Sequence, residues 1–548
     1  MNAPPIARPV ICAADILFFV LIVLYVLAGL CGTAVLTANG AGISADLCCY
    51  AQNMAAERHR GLFAVDPLLR AQTPANSIPN LESLLAELFT PGQNYAVGLV
   101  RAGALGVLLH YAAFYILGRF LFVRPSLAAL LSAFTGVTVW FSFGTYWGFA
   151  VADVTPRVFF AALWPLLLLG AFIALERPKL RPLVMLLSGL GMYLHGLSSL
   201  NASCVFFTVF LLRRASAQSR REHLANLGLC LVCAALPTLF FLRDSLGQAH
   251  AFTADDLTVF QEVFARRFSE DHGDILFRLA GHFLWGSDTF PLFCGGLAGF
   301  FVARRFGPPE TRKLMSLYPP LLLGMSLVIV LSVTESCLAP LLGRLSMGQE
   351  LVRGVRFLAP LCWVAIVAAL ACFWGRMPRA LRCLAVLGLT LPIVLLDQGW
   401  ASATRFEAAR LLGLQPQAAV AQSARGAENY RQALEALDRL APPGAAAFGA
   451  RDAMAVRYLL HRPLLYSFKD GSSYLYNKDA AGARDWLRLT TLSDREGPVA
   501  AWLATGADWF LCSRIGDREK IVPHGDIIWE NEDWFVARRR ANSDGRAR

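Results

Sequence analysis

The chain has 548 residues, of which 56% are hydrophobic and only 16% are charged, and its formal net charge is +11. Soluble domains carry about 25% charged residues, so this composition excludes an ordinary soluble protein and indicates contact with membrane lipids. The basic excess does not indicate nucleic acid binding, because most Lys and Arg residues of the apolar part lie in short loops, where they set membrane orientation.

The chain divides into two parts at about Trp400. Before this point, long apolar runs alternate with short basic clusters, whereas charged residues are dense after it. The first run, Ile16–Val35, is longer than a signal-peptide core of about 7–15 residues and is predicted to be an uncleaved span. The sequence therefore predicts a transmembrane module at 1–400 and a water-soluble domain at 401–548.

The basic clusters are placed together in the cytoplasm, which predicts a polytopic α-helical membrane protein with about 10–11 transmembrane helices. The spans with assigned bounds cover about 15–37, 96–118, 126–146, 157–175, 224–242, part of 275–303, 315–333, 357–375 and 383–399. Long loops on the outer side cover 38–95, 243–274 and 334–356. This path places the C-terminal domain outside.

The segment 183–212 begins and ends at basic clusters, so it must cross an even number of times. Each full span needs about 20 residues, and thirty residues therefore predict two short half-helices. The polar break at His195–Ser199 lies in the middle. Irregular backbone at membrane depth occurs where it is buried in protein or lines a wet cavity, so the hairpin is expected to line a cavity. The alternative is a topology that is wrong by one span.

The first outer loop carries an amphipathic stretch, Leu81–Phe89, that suits the membrane surface. It also carries Asp46 just beyond the first span. Desolvation at the apolar boundary is expected to raise the pKa of Asp46 and make it a usable base. The alternative is a solvated loop carboxylate. Asp66 is a weaker candidate, because Asp-Pro commonly starts a turn.

A second carboxylate, Asp153, lies in the short loop before the fourth predicted span, close to Arg157. An arginine just inside a span is costly unless it has a partner or a phosphate. An acid and a base at this position favour a polar site. The alternative is structural: Asp153 caps the helix that begins near Pro156.

Arg353 and Arg356 stand at the outer entrance of the tenth predicted span. They are three residues apart and share one helix face. The positive-inside rule does not explain arginines on the outer side, and guanidinium is the preferred group for binding phosphate. The alternative is pairing with Glu350 or with lipid headgroups. His195 is expected either to donate to the same anion or to be a satisfied core histidine.

Three features combine: an acidic residue after the first span, an acidic residue between later spans, and arginines on a late outer loop. With the outer C-terminal domain, the chain resembles the GT-C superfamily of membrane glycosyltransferases, which use polyprenyl-phosphate-linked sugars. The resemblance covers the whole chain in architecture, and its motifs are short. It implies that Asp46 is the catalytic base or its partner in binding metal or acceptor, that Asp153 is the second catalytic carboxylate, and that Arg356 or Arg353 binds the donor phosphate. The positions of His195 and Arg157 make them further candidates for binding the donor phosphate.

The resemblance leaves the metal requirement open, because no Asp-x-Asp or Glu-Asp pair follows the first span. No cofactor is predicted with certainty, and a divalent metal is possible. The 13 cysteines lie mostly inside apolar runs and show no metal-ligand spacing.

The C-terminal part alternates helix and strand patterns and is predicted to be a small α/β domain. Predicted helices cover 430–440 and 452–460. Predicted strands cover 445–449 and 464–468, a turn followed by a strand is predicted at 506–512, and strands at 527–529 and 534–537 are predicted to form a terminal hairpin. The stretch Lys469–Tyr476 is unusually aromatic and polar. It is expected either to face the membrane cavity or a sugar, or to be a turn that packs its tyrosines on the core.

Three other function classes remain open at this stage. A transporter or lipid flippase would use the broken hairpin, but the two halves show no internal repeat. A non-catalytic scaffold would keep the fold without turnover. An O-antigen ligase or polymerase would need a larger late outer loop than 334–356. The expected location is the bacterial inner membrane with a periplasmic C-terminal domain, and the acceptor is unidentified.

Overall fold

A computed structural model describes residues 11–540 except 71–80, 91–93, 142–144, 151–152, 216–217, 248–252, 269–280, 282–285, 287–288, 345, 347, 396–398, 416, 451–452 and 514–517. The helices of the membrane part are α1 (Ala13–Leu36), α2 (Ala45–Arg58), α3 (Leu81–Phe89), α4 (Tyr95–Phe122), α5 (Pro125–Thr135), α6 (Arg157–Ala174), α7 (Arg181–Leu190), α8 (Met192–Leu212), α9 (Arg220–Gly247), α10 (Ala254–Phe268), α11 (Thr289–Phe306), α12 (Pro309–Met315), α13 (Tyr318–Leu341), α14 (Gly348–Val352), α15 (Leu358–Trp374) and α16 (Arg379–Leu395).

The helices that follow are α17 (Gly399–Leu411), α18 (Ala418–Leu440), α19 (Ala455–Tyr458), α20 (Asp470–Asn477), α21 (Ala480–Glu496), α22 (Pro498–Thr505) and α23 (Arg518–Ile521). The strands are β1 (Val139–Phe141), β2 (Thr145–Trp147), β3 (Ala447–Gly449), β4 (Trp509–Ser513), β5 (Gly525–Glu530) and β6 (Trp534–Arg539). Short 3₁₀ turns cover Arg60–Phe63, Pro178–Leu180 and Arg353–Phe357.

Seven helical segments of the described residues are long and apolar enough to cross a membrane. They are Ala13–Leu36, Tyr95–Phe122, Arg157–Ala174, Met192–Leu212, Arg220–Phe241, Pro309–Ala339 and Glu350–Trp374. The chain is an integral membrane protein. The spans predicted at 126–146, within 275–303 and at 383–399 coincide in part with α5, α11 and α16, which are shorter or less apolar. Residues 142–144, 275–280, 282–285, 287–288 and 396–398 of these spans lie outside the described residues.

The span predicted at 126–146 is wrong beyond Thr135, where α5 ends. The chain then forms an antiparallel hairpin in which Trp140 of β1 lies opposite Tyr146 of β2. Residues 137–141 read Val-Thr-Val-Trp-Phe, and this run of β-branched and aromatic residues favours a strand over a helix. The hairpin places Thr145, Tyr146 and the following loop beside the start of α6.

The segment 183–212 is broken as predicted, because His195 has extended torsion angles (φ −157°, ψ 104°) inside α8. The expectation of two short half-helices is confirmed for α7, which has 10 residues, and is wrong for α8. With 21 residues, α8 is long enough to span the membrane alone. Just after the kink, Ser198 contacts Arg356 of the 3₁₀ turn at Arg353–Phe357. Further along α8, Asn201 Nδ2 donates to the Leu351 carbonyl of α14 at 3.2 Å.

The C-terminal part contains a four-stranded sheet in the order β3-β4-β6-β5, in which β3 and β4 are parallel and the other pairs are antiparallel. The strand predicted at 464–468 is wrong: residue 464 makes a single bridge to Ala447. The backbone groups of Leu464 are used elsewhere, because its N–H donates to Asp66 at 2.9 Å and its carbonyl accepts from Arg457 at 2.9 Å.

The C-terminal part and the first loop share one hydrophobic core. Buried members come from both, among them Ala51 of α2, Phe448 of β3 and Phe510 of β4, and Leu99 at the start of α4 packs with them. In addition, α17 crosses α1 so closely that a side chain at Gly29 or Gly32 would collide with Trp400 or Ala403. The domain boundary at residue 400 stays a prediction.

Candidate active site

The predicted site residues gather at one end of the helix bundle, which we call the outer end. It is formed by the C-terminal end of α1 and the N-terminal ends of α4, α6 and α15, together with α2, the β1–β2 hairpin and the 3₁₀ turn at Arg353–Phe357. These are the helix ends that the charge pattern predicts to be outside. The loops after α1, before α6 and before α15 therefore meet here, although they are far apart in sequence.

Asp153 lies at the centre of a hydrogen-bonded cluster. Its carboxylate accepts from the Ser44 hydroxyl and from the Tyr146 hydroxyl, both at 2.6 Å, and it pairs with Arg157. Arg157 also lies over the Tyr146 ring, 4.0 Å from its centroid. The capping alternative for Asp153 is wrong, because no side chain caps α6. Asp153 instead ties α2, the hairpin and α6 together, and its three donors occupy most of its lone pairs.

Asp46 lies on the first turn of α2, close to the Asp153 cluster, and is accessible. Half of its side chain (51%) is exposed, and its carboxylate pairs with Lys469 from the C-terminal part. Burial by the surrounding protein would raise its pKa, but Lys469, Arg157 and Arg353 outweigh this effect and hold the pKa of Asp46 below its ordinary value. The expected rise in pKa is therefore wrong, because the sequence did not reveal how many cations surround this carboxylate.

Arg356 is buried and has neutral partners. Its guanidinium donates to the Ser198 hydroxyl and to the Thr145 hydroxyl, the latter at 3.4 Å. No carboxylate pairs with it in the part of the chain that the structure describes. Arg157 and Arg353 are close enough to repel it. A buried cation without a counter-charge is costly, so this position suits an anion.

Arg353 is paired, as the alternative interpretation proposed. Its guanidinium donates to Glu350 at 2.9 Å, and Glu350 also accepts from the Tyr476 hydroxyl at 3.3 Å. The Glu350 side chain is 6% exposed, whereas that of Arg353 is 26% exposed. The Arg353 side chain is therefore partly accessible although it is paired.

His195 is connected to Arg356 through the Ser198 hydroxyl. Its Nδ1 accepts from the Ser198 N–H at 3.3 Å and is 2.8 Å from the Ser198 hydroxyl, which also contacts Arg356. Because Nδ1 accepts, the proton of the neutral ring is on Nε2. The second nitrogen is therefore a donor, which fits the expectation that His195 can bind an anion beside Arg356.

The close approach of the 3₁₀ turn to α8 depends on Gly354. A Cβ added at this position would lie 2.5 Å from the Asn201 side chain. The turn then delivers Arg353 and Arg356 from either side of this contact. A glycine between two arginines is thus explained by packing rather than by chemistry.

Glu82 is a member of the site that the sequence analysis missed. It lies on α3, whose leucines Leu84 and Leu88 point away from the protein, while Glu82 is 1% exposed. Neither carboxylate oxygen has a hydrogen-bond partner in the described residues. Burial raises the pKa of Glu82 well above its ordinary value, and Asp153 adds to the rise while Arg157 opposes it. The sequence signal that could have identified Glu82 is its place on the inward-facing side of an amphipathic helix.

Asp66 does not belong to the site. It is fully buried, and its carboxylate pairs with Arg457 at 2.8 Å and caps the N–H groups of Leu68 and Leu69, both at 3.0 Å. Its role is structural, as the Asp-Pro turn suggested.

The described residues contain no group of three or more His, Cys, Asp or Glu side chains that could hold a metal ion. The metal requirement therefore stays open. The chemistry that follows uses the side chains of this chain alone.

The comparisons with known proteins identify the fold. No family model and no curated protein matches the sequence. Among solved structures, ArnT from Cupriavidus metallidurans bound to undecaprenyl phosphate is similar, with 14% sequence identity, a TM-score of 0.50, and coverage of 97% of this chain and 99% of that chain. ArnT from the same organism in the apo state matches with 13% identity, a TM-score of 0.42, and coverage of 90% and 93%. The chain therefore has a fold similar to that of ArnT.

Proposed function

We propose that the protein is a glycosyltransferase that moves a sugar from a polyprenyl-phosphate donor to an acceptor hydroxyl at the outer end. The observation that carries this proposal is Arg356, a buried cation with neutral partners and two further arginines nearby. Such a place suits a phosphate that is held by fork-shaped guanidinium groups. The lipid named in the ArnT structure, undecaprenyl phosphate, has this chemistry and supports the proposal.

In the proposed reaction, the acceptor oxygen forms a bond to the anomeric carbon while the bond from that carbon to the phosphate oxygen breaks. The acceptor proton moves to Asp46, and the polyprenyl phosphate leaves with the bonding electron pair. The donor phosphate is a diester with one negative charge, and the product is a monoester with up to two. Fixed arginines therefore stabilise the product side more than the donor, and this difference lowers the barrier.

Asp46 fits the role of base better than the other two carboxylates. Asp153 is occupied by three donors, and burial favours the neutral form of Glu82. Asp46 is accessible and ionised at neutral pH. Its low pKa makes it a weak base while it pairs with Lys469. It becomes a stronger base when an acceptor hydroxyl displaces this lysine.

The first experiment is native mass spectrometry of gently solubilised protein with added undecaprenyl phosphate. We expect wild type to bind this lipid and the double variant Arg353→Ala/Arg356→Ala to lose it. The matched control is Arg376→Ala/Arg379→Ala, which removes two exposed arginines from the opposite end. If wild type retains bulk phospholipid alone, the transferase proposal is wrong.

The second experiment tests the base. We expect Asp46→Asn to lower transfer from a panel of undecaprenyl-phosphate monosaccharides by at least about 100-fold, because a positioned base contributes that much or more. Lipid binding should be retained, since the arginines are intact. Asp485→Asn, an exposed aspartate of α21, is the control. An active Asn variant would exclude Asp46 as the base.

The broken first turn of α8 also fits a lipid flippase, which would move the lipid without consuming it. Proteoliposomes distinguish the two functions. Movement of undecaprenyl phosphate across the bilayer by Asp46→Asn at the wild-type rate, without sugar transfer by either protein, would favour the flippase.

A further inference from the structure

The helix α20 of the C-terminal part connects two places in the site, Asp46 and the Glu350–Arg353 pair. Lys469, just before its first residue, pairs with Asp46, and Tyr476 in its last turn donates to Glu350 at 3.3 Å. The two residues are seven positions apart, so they share one helix face and are separated by about 10 Å along the axis. One rigid element thus contacts both the proposed base and the partner of Arg353.

A buried ion cluster fixes the start of α20. Arg457 contacts Asp470, the first residue of α20, at 2.7 and 2.9 Å, and Asp66 of the first loop at 2.8 and 3.1 Å. It also donates to Gln52 of α2 at 3.0 Å. Arg457, Asp66 and Asp470 are at most 1% exposed. The cluster therefore joins α2, which carries Asp46, to the residue that follows Lys469.

A second contact supports the helix from the other side. Arg267 of α10 donates to the Ser472 hydroxyl at 2.9 Å and lies 4.7 Å from the Phe468 ring centroid. Gly471 is so close to Trp486 that an added Cβ would lie 2.7 Å from the indole ring. Together these contacts leave α20 little freedom to tilt or slide.

We propose that the C-terminal part is a component of the active site, in which α20 sets the position of Asp46 through Lys469 and of Arg353 through Tyr476 and Glu350. This proposal rests on the proposed function and deepens it. Lys469 and Tyr476 are positioning residues, since they act through Asp46 and through the Glu350–Arg353 pair. The distance between Asp46 and Arg353 is then set by the two helical turns of α20, which belongs to the C-terminal part.

Lys469 also affects the ionisation of Asp46. The groups that face Asp46 are Cys49 and Tyr50 from α2, Arg157 from α6, Arg353 from the 3₁₀ turn, and Lys469 and Tyr476 from the C-terminal part. Lys469 is the strongest of the cations that lower the pKa of Asp46. Removing Lys469 raises the pKa of Asp46. At low pH a smaller fraction of Asp46 is then ionised and able to accept a proton.

The test uses Lys469→Met, Lys469→Arg and, as the control, Lys520→Met, which removes an exposed lysine of α23. We expect Lys469→Met to lower kcat/KM for the acceptor about tenfold on the acidic side of the profile, because this ratio reports the free enzyme, in which Lys469 still pairs with Asp46. The acid limb should move to higher pH, while KM for the donor stays within about twofold. Lys469→Arg should keep the wild-type profile, and so should the control. Thermal unfolding of each variant checks that it is folded.

Tyr476→Phe tests the other end of α20 by binding instead of turnover. Without the tyrosine hydroxyl, Glu350 pairs more fully with Arg353, so we expect affinity for undecaprenyl phosphate to fall about three- to tenfold, the equivalent of one hydrogen bond. Lys469→Met should bind the lipid like wild type.

The outcomes separate this inference from the proposed function. If wild type neither binds undecaprenyl phosphate nor transfers sugar, both fail. If wild type is active and Lys469→Met has the wild-type pH profile, or Tyr476→Phe has the wild-type affinity, the proposed function stands and the positioning role of α20 is wrong.

Discussion

Two arginines buried in this protein have opposite surroundings. Arg457 is enclosed by two carboxylates, a glutamine side-chain oxygen and a backbone carbonyl, so its charge is fully compensated. Arg356 is buried to a similar degree, with 6% exposure, but its partners are two hydroxyl groups. The first arginine completes a structure, whereas the second has capacity left for an anion.

Comparing Arg457 with Arg356 gives a way to separate structural from functional charges in a membrane protein. Burial alone does not distinguish them, and neither does proximity to the proposed site, since Asp470 of the compensated cluster is adjacent to Lys469. The useful measure is whether the partners of a buried charge balance it. By this measure Asp66 is structural, and the surroundings of Arg356 fit the role in phosphate binding that we propose for it.

We expect the largest change when the ion cluster of Arg457, Asp66 and Asp470 is broken, and this change is a loss of stability. Arg457→Met leaves two buried carboxylates without their cation, so we expect it to destabilise the protein by about 3–5 kcal/mol. Thermal unfolding in detergent measures this loss. Arg431→Met is the control, because it removes a partly exposed arginine that forms two ion pairs within its own helix. A small shift for Arg457→Met, comparable to the control, would contradict the structural role.

The next effect is on binding. Arg356→Met removes a cation that has no counter-charge, so the melting temperature should stay the same or rise. Affinity for undecaprenyl phosphate should fall by about 10- to 100-fold, the equivalent of one charge-assisted hydrogen bond. Titration with the lipid and thermal unfolding give the two values, with the exposed Arg305→Met as control. Loss of stability without loss of affinity would show that Arg356 resembles Arg457.

The smallest effect concerns Glu82, a buried carboxyl that also lacks partners in the described residues. Its pKa is raised in the folded protein, so the folded state is favoured at low pH, and this contribution is lost as pH rises above about 4.5, the ordinary value. Glu82→Gln should therefore be as stable as wild type or up to about 1 kcal/mol more stable at pH 7. The two should converge near pH 4.

Unfolding measured between pH 4 and pH 8 checks this prediction, and Glu87→Gln on the exposed side of α3 is the control. A Gln variant that is clearly less stable at pH 7 would mean that Glu82 is ionised and paired in the folded protein.

Much of the fold was predictable, because apolar length and loop charge are strong signals in membrane proteins. The bounds of α1, α4, α6 and α15 agree with the predicted spans to within about four residues. The span at 126–146 was not predictable from hydropathy, since the β1–β2 hairpin is as apolar as a helix. The false strand at 464–468 has a similar origin: its pattern suited a sheet, but Asp66 and Arg457 use its backbone groups.

The site was predictable in its residue types but not in its pairings. Asp153, Arg157, Arg353 and Arg356 were identified because charges at span ends are costly without a reason. The pKa of Asp46 was misjudged because Lys469 lies more than 400 positions away in sequence. No local pattern connects such residues, and their contact depends on how the C-terminal part packs on the first loop.

The crossing of α17 over α1 has a consequence for biosynthesis. The glycine face of α1 at Gly29 and Gly32 is filled by Trp400 and Ala403, which follow roughly 370 residues later. At a translation rate of about 5–20 residues per second, the first helix waits roughly 20–75 s in the membrane before its partner is made. During this interval the glycine face of α1 is open to lipid or to an assembly factor, and α17 cannot pack on it until residues 399–411 have been made.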